Sequence, residues 1–501
     1  MQNFDVVIVG AGISGIGAAC HLQTECPDKT FTILESREQS GGTWDLFQYP
    51  GIRSDSDMHT LGFNFKPWTA AKSIADGPSI KSYLTETIDE HGLAQHIRHA
   101  HKVLSANWSS SDATWTVTTD HKGETQQFRC NFLMMCSGYY NYDTPYTPDF
   151  KGLDTFKGMV IHPQHWPKDL DYTNKKVVVI GSGATAMTLV PAMADDAASV
   201  TMLQRSPTYV VARPDQDKIA NTLRKLLPDS MAYALTRFKN TQLQHFMYQR
   251  MRKEPTKMKK ALVGMVSDAL GPDYDVEKHF TPKYNPWDQR LCLIPNGDLF
   301  KSIKKGKTQV ITDQIDTFTA NGITLTSGDT LEADIIITAT GLNMQVMGGS
   351  TFAVDGRSVN FADTVSYKGM MYAEIPNLIQ TFGYINASWT LRADLTAEYA
   401  CRVINHMDKL GARQCTPRLR AEDADMELRP WIEDFSAGYM QRTMNLMPRQ
   451  GDRDPWRNTQ NYALDKKMIR NAPLEDGALL FAELELKPIE ARLPEESQNA
   501  A

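Results

Sequence analysis

The stretch FDVVIVGAGISG at residues 4–15 decides the fold. An apolar, β-branched run at 4–9 leads directly into glycines and then into an alanine-rich helical pattern. That order predicts the start of a βαβ unit, with the glycines in the turn between strand and helix. Gly10 permits the tight turn, Gly12 lets the backbone approach a pyrophosphate, and Gly15 lets the helix pack closely on the strand.

An acidic residue follows the next predicted strand. The pattern TFTILE at 30–35 ends at Glu35, and a later partner strand, NFLMMCSG at 131–138, ends in a turn of small residues. A carboxylate in this position accepts hydrogen bonds from both hydroxyls of an unphosphorylated ribose. The first unit is therefore predicted to bind FAD.

The same unit starts a second time at KVVVI, residues 176–180, followed by GSGATA at 181–186. Its second strand, SVTMLQRS at 199–206, ends without an acid and places Arg205 after the strand. A carboxylate there would repel a ribose 2′-phosphate, whereas a guanidinium binds it with paired charge-assisted hydrogen bonds. The second unit is predicted to bind NADPH in preference to NADH, although Arg205 in a surface ion pair stays open as an alternative.

Two such units predict an α/β protein with two dinucleotide-binding (Rossmann-like) domains and a helical insertion in the NADPH domain. The predicted segments are 1–145 and 368–501 for the FAD-binding domain and C-terminal tail, 146–215 and 285–367 for the NADPH-binding domain, and 216–284 for the insertion.

The insertion is strongly basic. Residues 218–260 contain eleven lysines and arginines but only two acids, Asp229 and Glu254. One interpretation is a helical surface in contact with solvent. The other is a segment that touches a membrane surface transiently or gates the substrate, so loose membrane association stays open.

Charge and cysteine usage exclude several classes. The net charge of −6 argues against a nucleic-acid partner. Seven scattered cysteines, without metal-ligand spacing, predict a reduced cytoplasmic protein with no disulfide framework and no metal. The N-terminus begins with a strand pattern, which leaves no room for a signal peptide, and no apolar run is long enough to span a membrane.

An enzyme with both nucleotides could be a disulfide reductase, an electron-transfer reductase or a monooxygenase. Disulfide reductases need two closely spaced reactive cysteines beside the flavin. No cysteine lies between Cys26 and Cys130, and the pair Cys130 and Cys136 flanks a predicted strand. The cysteines therefore argue strongly against a disulfide reductase.

The segment between the two units carries a family resemblance. FKGMVIHPQHWP at 156–167 matches F-x-G-x-x-x-H-x-x-x-W-P through Phe156, Gly158, His162, Trp166 and Pro167. This pattern resembles the fingerprint of type I Baeyer–Villiger (class B flavoprotein) monooxygenases. Related N- and S-oxygenating enzymes usually lack the tryptophan. Further matches are GGTWDL at 41–46, YPGIRSD at 49–55 and ATG at 339–341.

The resemblance implies a monooxygenase in which NADPH reduces FAD and O2 reacts through a C4a-peroxyflavin. Its substrate would be a small ketone, converted to an ester, or a sulfide or thioamide. Arg290 would supply a fixed positive charge, and Asp55 would orient or tune the flavin. Gln289 departs from a lysine common in the wider family that helps to hold the NADPH phosphate, which leaves Arg205 and Ser206 to select NADPH.

Two other functions stay open. One is an N- or S-hydroxylating flavin monooxygenase with little ketone activity, and the other is a non-catalytic redox sensor that binds both nucleotides. The residues predicted to contact the cofactors are Gly10, Gly12, Ser14, Gly15, Glu35, Gly42, Thr43, Trp44, Asp45, Leu46, Arg53, Ser54, Asp55, Val103, Gly181, Ser182, Gly183, Ala184, Thr185, Ala186, Arg205 and Ser206.

Overall fold

The strand predicted at 4–9 lies in the middle of the first sheet of the computed structural model, which describes residues 1–433 and 435–483. The elements up to residue 135 are β1 (Gln2–Val9), α1 (Ile13–Glu25), β2 (Phe31–Leu34), α2 (Thr43–Leu46), α3 (Met58–Leu61), α4 (Gly77–Glu90), β3 (Ile97–Arg98), β4 (His101–Ser109), β5 (Thr114–His121) and β6 (Glu124–Met135). Strand β1 pairs in parallel with both β2 and β6, so that Val6 lies opposite Phe31 and Phe132.

Alternate residues of β1 face different parts of the core. Val6 and Ile8 pack in the cluster that includes α1, whereas Val7 and Val9 pack in the cluster formed by β4, β5 and β6. Side chains alternate in this way along any strand that is buried on both faces. The continuous apolar run at 4–9 is explained by this double burial.

The second unit forms a separate parallel sheet, whose neighbouring strands are, in order, Thr308–Thr312, Ser199–Gln204, Lys176–Ile180, Ile335–Thr338 and Met159–Ile161. Its elements, together with the insertion and two small sheets, are β7 (Met159–Ile161), β8 (Lys176–Ile180), α5 (Ala184–Met193), β9 (Ser199–Gln204), β10 (Val210–Arg213), α6 (Lys218–Leu226), α7 (Asp229–Lys253), α8 (Pro255–Leu270), α9 (Val276–Phe280), β11 (Cys292–Pro295), α10 (Asp298–Lys304), β12 (Thr308–Thr312), β13 (Ile315–Thr319), β14 (Gly322–Leu325), β15 (Thr330–Glu332) and β16 (Ile335–Thr338).

The chain returns to the first sheet earlier than the sequence predicted. The remaining elements are β17 (Thr351–Val354), β18 (Arg357–Ser358), β19 (Ser366–Tyr367), β20 (Met371–Tyr372), β21 (Leu378–Gln380), α11 (Trp389–Leu410), β22 (Gln414–Pro417), β23 (Leu428–Pro430), α12 (Gly438–Gln441), β24 (Arg449–Gly451), α13 (Tyr462–Asn471) and β25 (Leu479–Ala482). Strand β17 pairs with β4, with Thr351 opposite Ser105, so the chain reaches the first sheet before the predicted boundary at 367. Strands as short as β17 and β18 give no clear sequence pattern. The predicted tail after about Pro488 lies outside the described residues.

The helical insertion contacts both domains. Helix α7 packs against α3 of the first domain, where the Tyr233 hydroxyl donates to the Phe63 carbonyl at 2.9 Å and Arg237 donates to the Gly62 carbonyl at 2.7 Å. At its other end, Arg252 forms an ion pair with Asp288 at 2.7 Å. One face of this insertion is thus an interdomain contact and not a surface in solvent.

Helices α1, α7 and α11 meet at a buried cluster of charges. Asp394 of α11 contacts Arg237 at 3.2 Å and the His21 imidazole at 3.5 Å, and His21 also bonds Glu25 at 2.8 Å. Burial alone lowers the pKa of His21, but the carboxylates of Asp394 and Glu25 outweigh it and raise the pKa from 6.5 to about 9.

This imidazolium should make folding sensitive to alkaline pH. A pKa that is higher in the folded state gives stability that is complete below pH 6.5 and is lost as pH rises through about 9. The difference in unfolding free energy between the native chain and His21→Gln should therefore shrink by about 3 kcal/mol at most across this range. Denaturant unfolding at several pH values measures it, and a difference that does not change with pH would contradict the assignment.

Candidate active site

One large cavity, of about 1060 Å³, lies at the carboxyl ends of the parallel strands of the first and second sheets. Ligands of open α/β sheets bind at this edge. The predicted residues that line it are Gly10, Gly12, Ser14, Glu35, Gly42, Thr43, Trp44, Arg53, Ser54, Asp55, Val103, Gly181, Ser182, Gly183, Ala184, Thr185, Arg205, Ser206 and Arg290. The structure therefore brings the residues of the two predicted nucleotide sites together in one place.

Four of the predicted residues do not line the cavity. Gly15 and Ala186 are buried inside helices α1 and α5. Leu46 packs against the core of the second domain. Asp45 accepts hydrogen bonds from Lys81 at 2.6 Å and from Arg37; burial raises its pKa, but these two partners hold the pKa below its ordinary value. These residues support the walls of the cavity.

Two helix N-termini open into the cavity. Helix α1 begins after Gly12 and α5 begins after Gly183, and neither has a side-chain cap or an acidic residue in its first turn. The first N–H groups of a helix lack partners within the helix and carry a partial positive charge. Both helix ends thus fit the phosphate groups of a dinucleotide.

The glycines of the first turn differ in how much space surrounds them. Gly10 has φ +103°, and a Cβ at Gly15 would lie 1.8 Å from the Gly10 carbonyl oxygen. In contrast, a Cβ at Gly12 would meet only the backbone of Gly42, with Cα at 3.5 Å and N at 3.9 Å. The structure thus separates a glycine required for packing, Gly15, from one that keeps the cavity side of the turn open, Gly12.

Arg290 and Asp55 form an ion pair inside the cavity. The Asp55 carboxylate Oδ2 accepts from Arg290 Nε at 2.7 Å and lies 2.6 Å from Nη2. About a third of the Arg290 side chain, 36%, is exposed, so its charge reaches the cavity. The Asp55 carboxylate raises the pKa of the Arg290 guanidinium, against the effect of burial, and Arg290 is a permanent cation.

Aromatic side chains surround this pair. The hydroxyls of Tyr139 and Tyr140 are 2.6 Å apart, and Tyr139 stacks on Trp389 with 5.1 Å between ring centroids. Trp389 Nε1 donates to the Ser14 hydroxyl at 2.7 Å and so joins α11 to the first glycine turn. Sequence reasoning missed the site role of Tyr139 and Tyr439, which also line the cavity. The stretch SGYYNYD at 137–143, directly after β6, was the available signal for Tyr139.

Comparison with known proteins identifies the family. The family described as NAD(P)-binding Rossmann-like domain matches residues 8–76, and the one described as Flavin-binding monooxygenase-like matches residues 73–272. The FAD-containing monooxygenase EthA of Mycobacterium tuberculosis is 54% identical over 482 residues, which are 96% of this chain and 98% of EthA. The chain belongs to the EthA family of FAD-containing monooxygenases. The probable FAD-binding monooxygenase AlmA of Acinetobacter baylyi is 48% identical over 96% of both chains.

Solved structures show the same fold. An oxidised steroid monooxygenase bound to NADP superposes with a TM-score of 0.77 at 21% identity, covering 96% of this chain and all of that one. A cyclohexanone monooxygenase bound to ε-caprolactone superposes with a TM-score of 0.73 at 20% identity and the same coverage. The predicted class B flavoprotein family, the α/β fold with two Rossmann-like domains and the cofactor FAD are confirmed, and the steroid monooxygenase of the same fold is bound to NADP. The longer stretches, such as YNPWDQRLCLIPNGDLF at 284–300, are those that look like the ethionamide-activating member of this class.

The flavoprotein monooxygenase holds Glu35 rigidly beside its first glycine turn. Its carboxylate accepts from the Ala11 N–H at 2.7 Å and from the Arg37 N–H at 2.9 Å, and the residue is 4% exposed. The lone pairs that these two bonds leave free fit the ribose hydroxyls of FAD. A fixed acid fits the hydroxyls of an unphosphorylated ribose and would repel a 2′-phosphate.

The sequence fingerprint of the family lies beside the cavity, outside its lining. His162 Nε2 contacts the Gly341 carbonyl oxygen at 3.1 Å, so the linker is fixed to the ATG turn at 339–341. Gly341 itself lines the cavity, whereas His162 and Trp166 do not. We expect His162 to set the geometry between the two domains. Because its side chain does not line the cavity, it is not placed to transfer a proton there.

Arg205 is exposed after β9 and lines the cavity next to Ser206, whose carbonyl accepts from the Ser182 hydroxyl at 3.0 Å. Arg205→Ala should raise the KM for NADPH about ten- to a hundredfold, because one charge-assisted contact to the 2′-phosphate is lost. The KM for NADH should stay nearly unchanged. Steady-state kinetics with both nucleotides check this, and equal losses would show that Arg205 does not contact the phosphate.

A substitution at Gln289 is expected to strengthen NADPH binding, and so complements the Arg205 variant. It also lines the cavity, one residue before Arg290, at the position where the wider family commonly has a lysine. Gln289→Lys should lower the KM for NADPH and leave that for NADH unchanged, since only NADPH carries the additional phosphate charge.

Proposed function

We propose that this enzyme inserts one oxygen atom of O2 into small ketones to give esters, and that it also oxygenates sulfides or thioamides. The observation that carries the proposal is the Arg290–Asp55 pair, a fixed cation in the cavity that both glycine turns enter. The solved relatives support the ketone reaction: ε-caprolactone, found in cyclohexanone monooxygenase, is the ring-expanded ester of its namesake ketone.

The side chains of the cavity suit oxygen insertion. FAD, when bound and reduced by NADPH, supplies the activation of O2. Arg290 offers a planar set of N–H donors and a permanent charge where negative charge would develop on oxygen. Asp55 holds that guanidinium in one orientation through Nε and Nη2. The rings of Tyr139, Trp389 and Tyr439 would limit the entry of water, which otherwise diverts oxygen chemistry to peroxide release.

We further propose that the enzyme works in a reducing cytoplasm. All seven cysteines are free and buried. Burial raises the pKa of the Cys130 and Cys136 thiols, so that neither is a reactive thiolate near neutral pH. Mild reductants should therefore leave the activity unchanged.

Product analysis tests the reaction. The purified holoenzyme is supplied with NADPH, O2 and catalase, together with either a linear aliphatic ketone or an aryl methyl sulfide. An ester from the ketone, formed with matching NADPH oxidation, supports the proposal. Sulfoxide without ester would indicate the N- or S-hydroxylating alternative. Slow NADPH oxidation that no substrate changes would indicate a redox sensor.

A further inference from the structure

Half of the large hydrophobic side chains exposed in the described residues lie in the helical insertion. They lie close together in the chain, between residues 219 and 265, whereas the others are scattered between residues 1 and 464. On α6 and α7 they are Ile219, Leu226, Met231, Leu235, Phe238, Leu243 and Phe246. Exposed apolar surface that is concentrated in this way marks a surface for interaction.

Helix α7 has two opposite apolar faces. One packs on the first domain, and the other is exposed. Ala232, Tyr233 and Thr236 face the first domain and are buried. The spacing of Met231, Leu235, Phe238 and Phe246 places these side chains together on the other face of the helix. Phe238 is 67% exposed and Phe246 is 56% exposed. A helix face that contacts only solvent is not expected to carry two exposed phenylalanines.

Exposed basic side chains lie on the same two helices. Lys225 on α6 and Lys253 on α7 are exposed, and within the described part of the chain neither forms an ion pair. Lys253 lies on the same face of α7 as Phe238 and Phe246 by helical spacing. The segment 218–260 is strongly positive although the whole chain carries −6. Apolar side chains framed by unpaired lysines are the pattern of helices that lie at the surface of an anionic bilayer.

We propose that the outer face of α6 and α7 docks the enzyme on the surface of an anionic lipid bilayer. The exposed phenylalanines and leucines enter the interface, while Lys225 and Lys253 meet lipid phosphates. Within the described residues no helix is long and apolar enough to cross a membrane, and docking at the surface requires none. The like charge of two copies of this surface argues against a symmetric dimer as the occupant.

The docked helix is connected to the catalytic cavity. Asn240 of α7 donates to the Asp57 carboxylate at 3.0 Å, two residues after Asp55. At the other end of α7, Met251 Sδ lies 3.1 Å from Nε1 of Trp287, which belongs to the loop that carries Arg290. The helix that would contact the bilayer thus also contacts the two segments that carry Asp55 and Arg290. Ketones and sulfides dissolved in lipid are the substrates that this position would favour.

Vesicle sedimentation of the purified holoenzyme tests the docking. The enzyme should bind vesicles of equal parts phosphatidylcholine and phosphatidylglycerol, and should bind pure phosphatidylcholine vesicles much more weakly. Phe238→Ser with Phe246→Ser should lower the bound-to-free ratio about tenfold or more, because two apolar side chains no longer enter the interface. Lys225→Gln with Lys253→Gln should lower it about tenfold at low salt and less at high salt.

Matched controls come from another exposed helix. Leu464→Ser and Lys467→Gln on α13 remove an exposed leucine and an exposed lysine, and should leave vesicle binding unchanged. FAD content and NADPH oxidation without vesicles should be the same in all variants, since none of these residues lines the cavity.

Three results would overturn the proposal. The first is a native enzyme that does not sediment with either kind of vesicle. The second is equal binding to both vesicle types, which would remove the role of the lysines. The third comes from light scattering without lipid: a native dimer that the two serine substitutions convert to a monomer, with vesicle binding unchanged, would show that a second copy of the chain covers this face.

Discussion

Replacing Arg290 with alanine is expected to separate NADPH consumption from product formation. The substitution removes the permanent cation of the cavity but leaves unchanged the N-terminus of α1, where FAD is predicted to bind. Product formation should fall about a hundred- to a thousandfold, the usual effect of losing one positioned electrostatic contact. NADPH oxidation should persist at a reduced rate and yield hydrogen peroxide. The measurement is the amount of ester and of peroxide formed per NADPH oxidised.

Two companion variants separate the charge of Arg290 from its structural role. Arg290→Lys should rescue poorly, because a compact ammonium does not reproduce two donors directed at Asp55. Arg252→Ala breaks the ion pair with Asp288, which holds the same loop, but leaves the cavity charge in place. If Arg252→Ala uncouples the enzyme as strongly as Arg290→Ala, displacement of the loop is the cause and the catalytic assignment of Arg290 is wrong.

Gly15→Ala is expected to abolish the binding of FAD. Its Cβ would lie 1.8 Å from the Gly10 carbonyl oxygen, a backbone atom that cannot move without opening the turn between β1 and α1. Overpacking against movable side chains costs about 1–3 kcal/mol, and a contact with fixed backbone costs more. We expect colourless protein with a lowered Tm, measured by visible absorbance and thermal unfolding.

Gly12→Ala is the matched comparison. Its Cβ would meet Gly42 Cα at 3.5 Å, an ordinary contact, and so the fold should be retained. The new methyl group would nevertheless occupy the cavity side of the turn, where the pyrophosphate is expected, and weaken FAD binding. A Gly15→Ala protein that stays yellow and as stable as the Gly12→Ala protein would contradict the steric explanation.

The sequence predicts the positions of Glu35 and Arg205 because the signals for these residues are local. Glu35 and Arg205 each follow a strand at the spacing that a βαβ unit imposes, and the structure places both at the cavity. The Arg290–Asp55 pair is different, since 235 residues separate its members. No local pattern brings them together, and only the family resemblance pointed to both residues.

Other contacts could not be predicted from the chain itself. The hydrogen bond between Trp389 and Ser14 spans 375 residues and depends on how α11 packs against α1. The packing of α7 on the first domain was also missed, because a basic, methionine-rich helix has the same composition whether it faces solvent or a neighbouring domain. Packing of distant segments decides such contacts, and the periodicity of one helix does not contain that information.

The return of the chain to the first sheet has a consequence for biosynthesis. Strand β21 completes the pairing of β6, and α11 brings Trp389 onto the first glycine turn. The second sheet, in contrast, is complete once β16 ends at Thr338. Translation proceeds from the N-terminus, and domains fold as they emerge from the ribosome. The domain that begins first is thus finished last, and a nascent chain can close its NADPH domain well before it is able to retain a flavin.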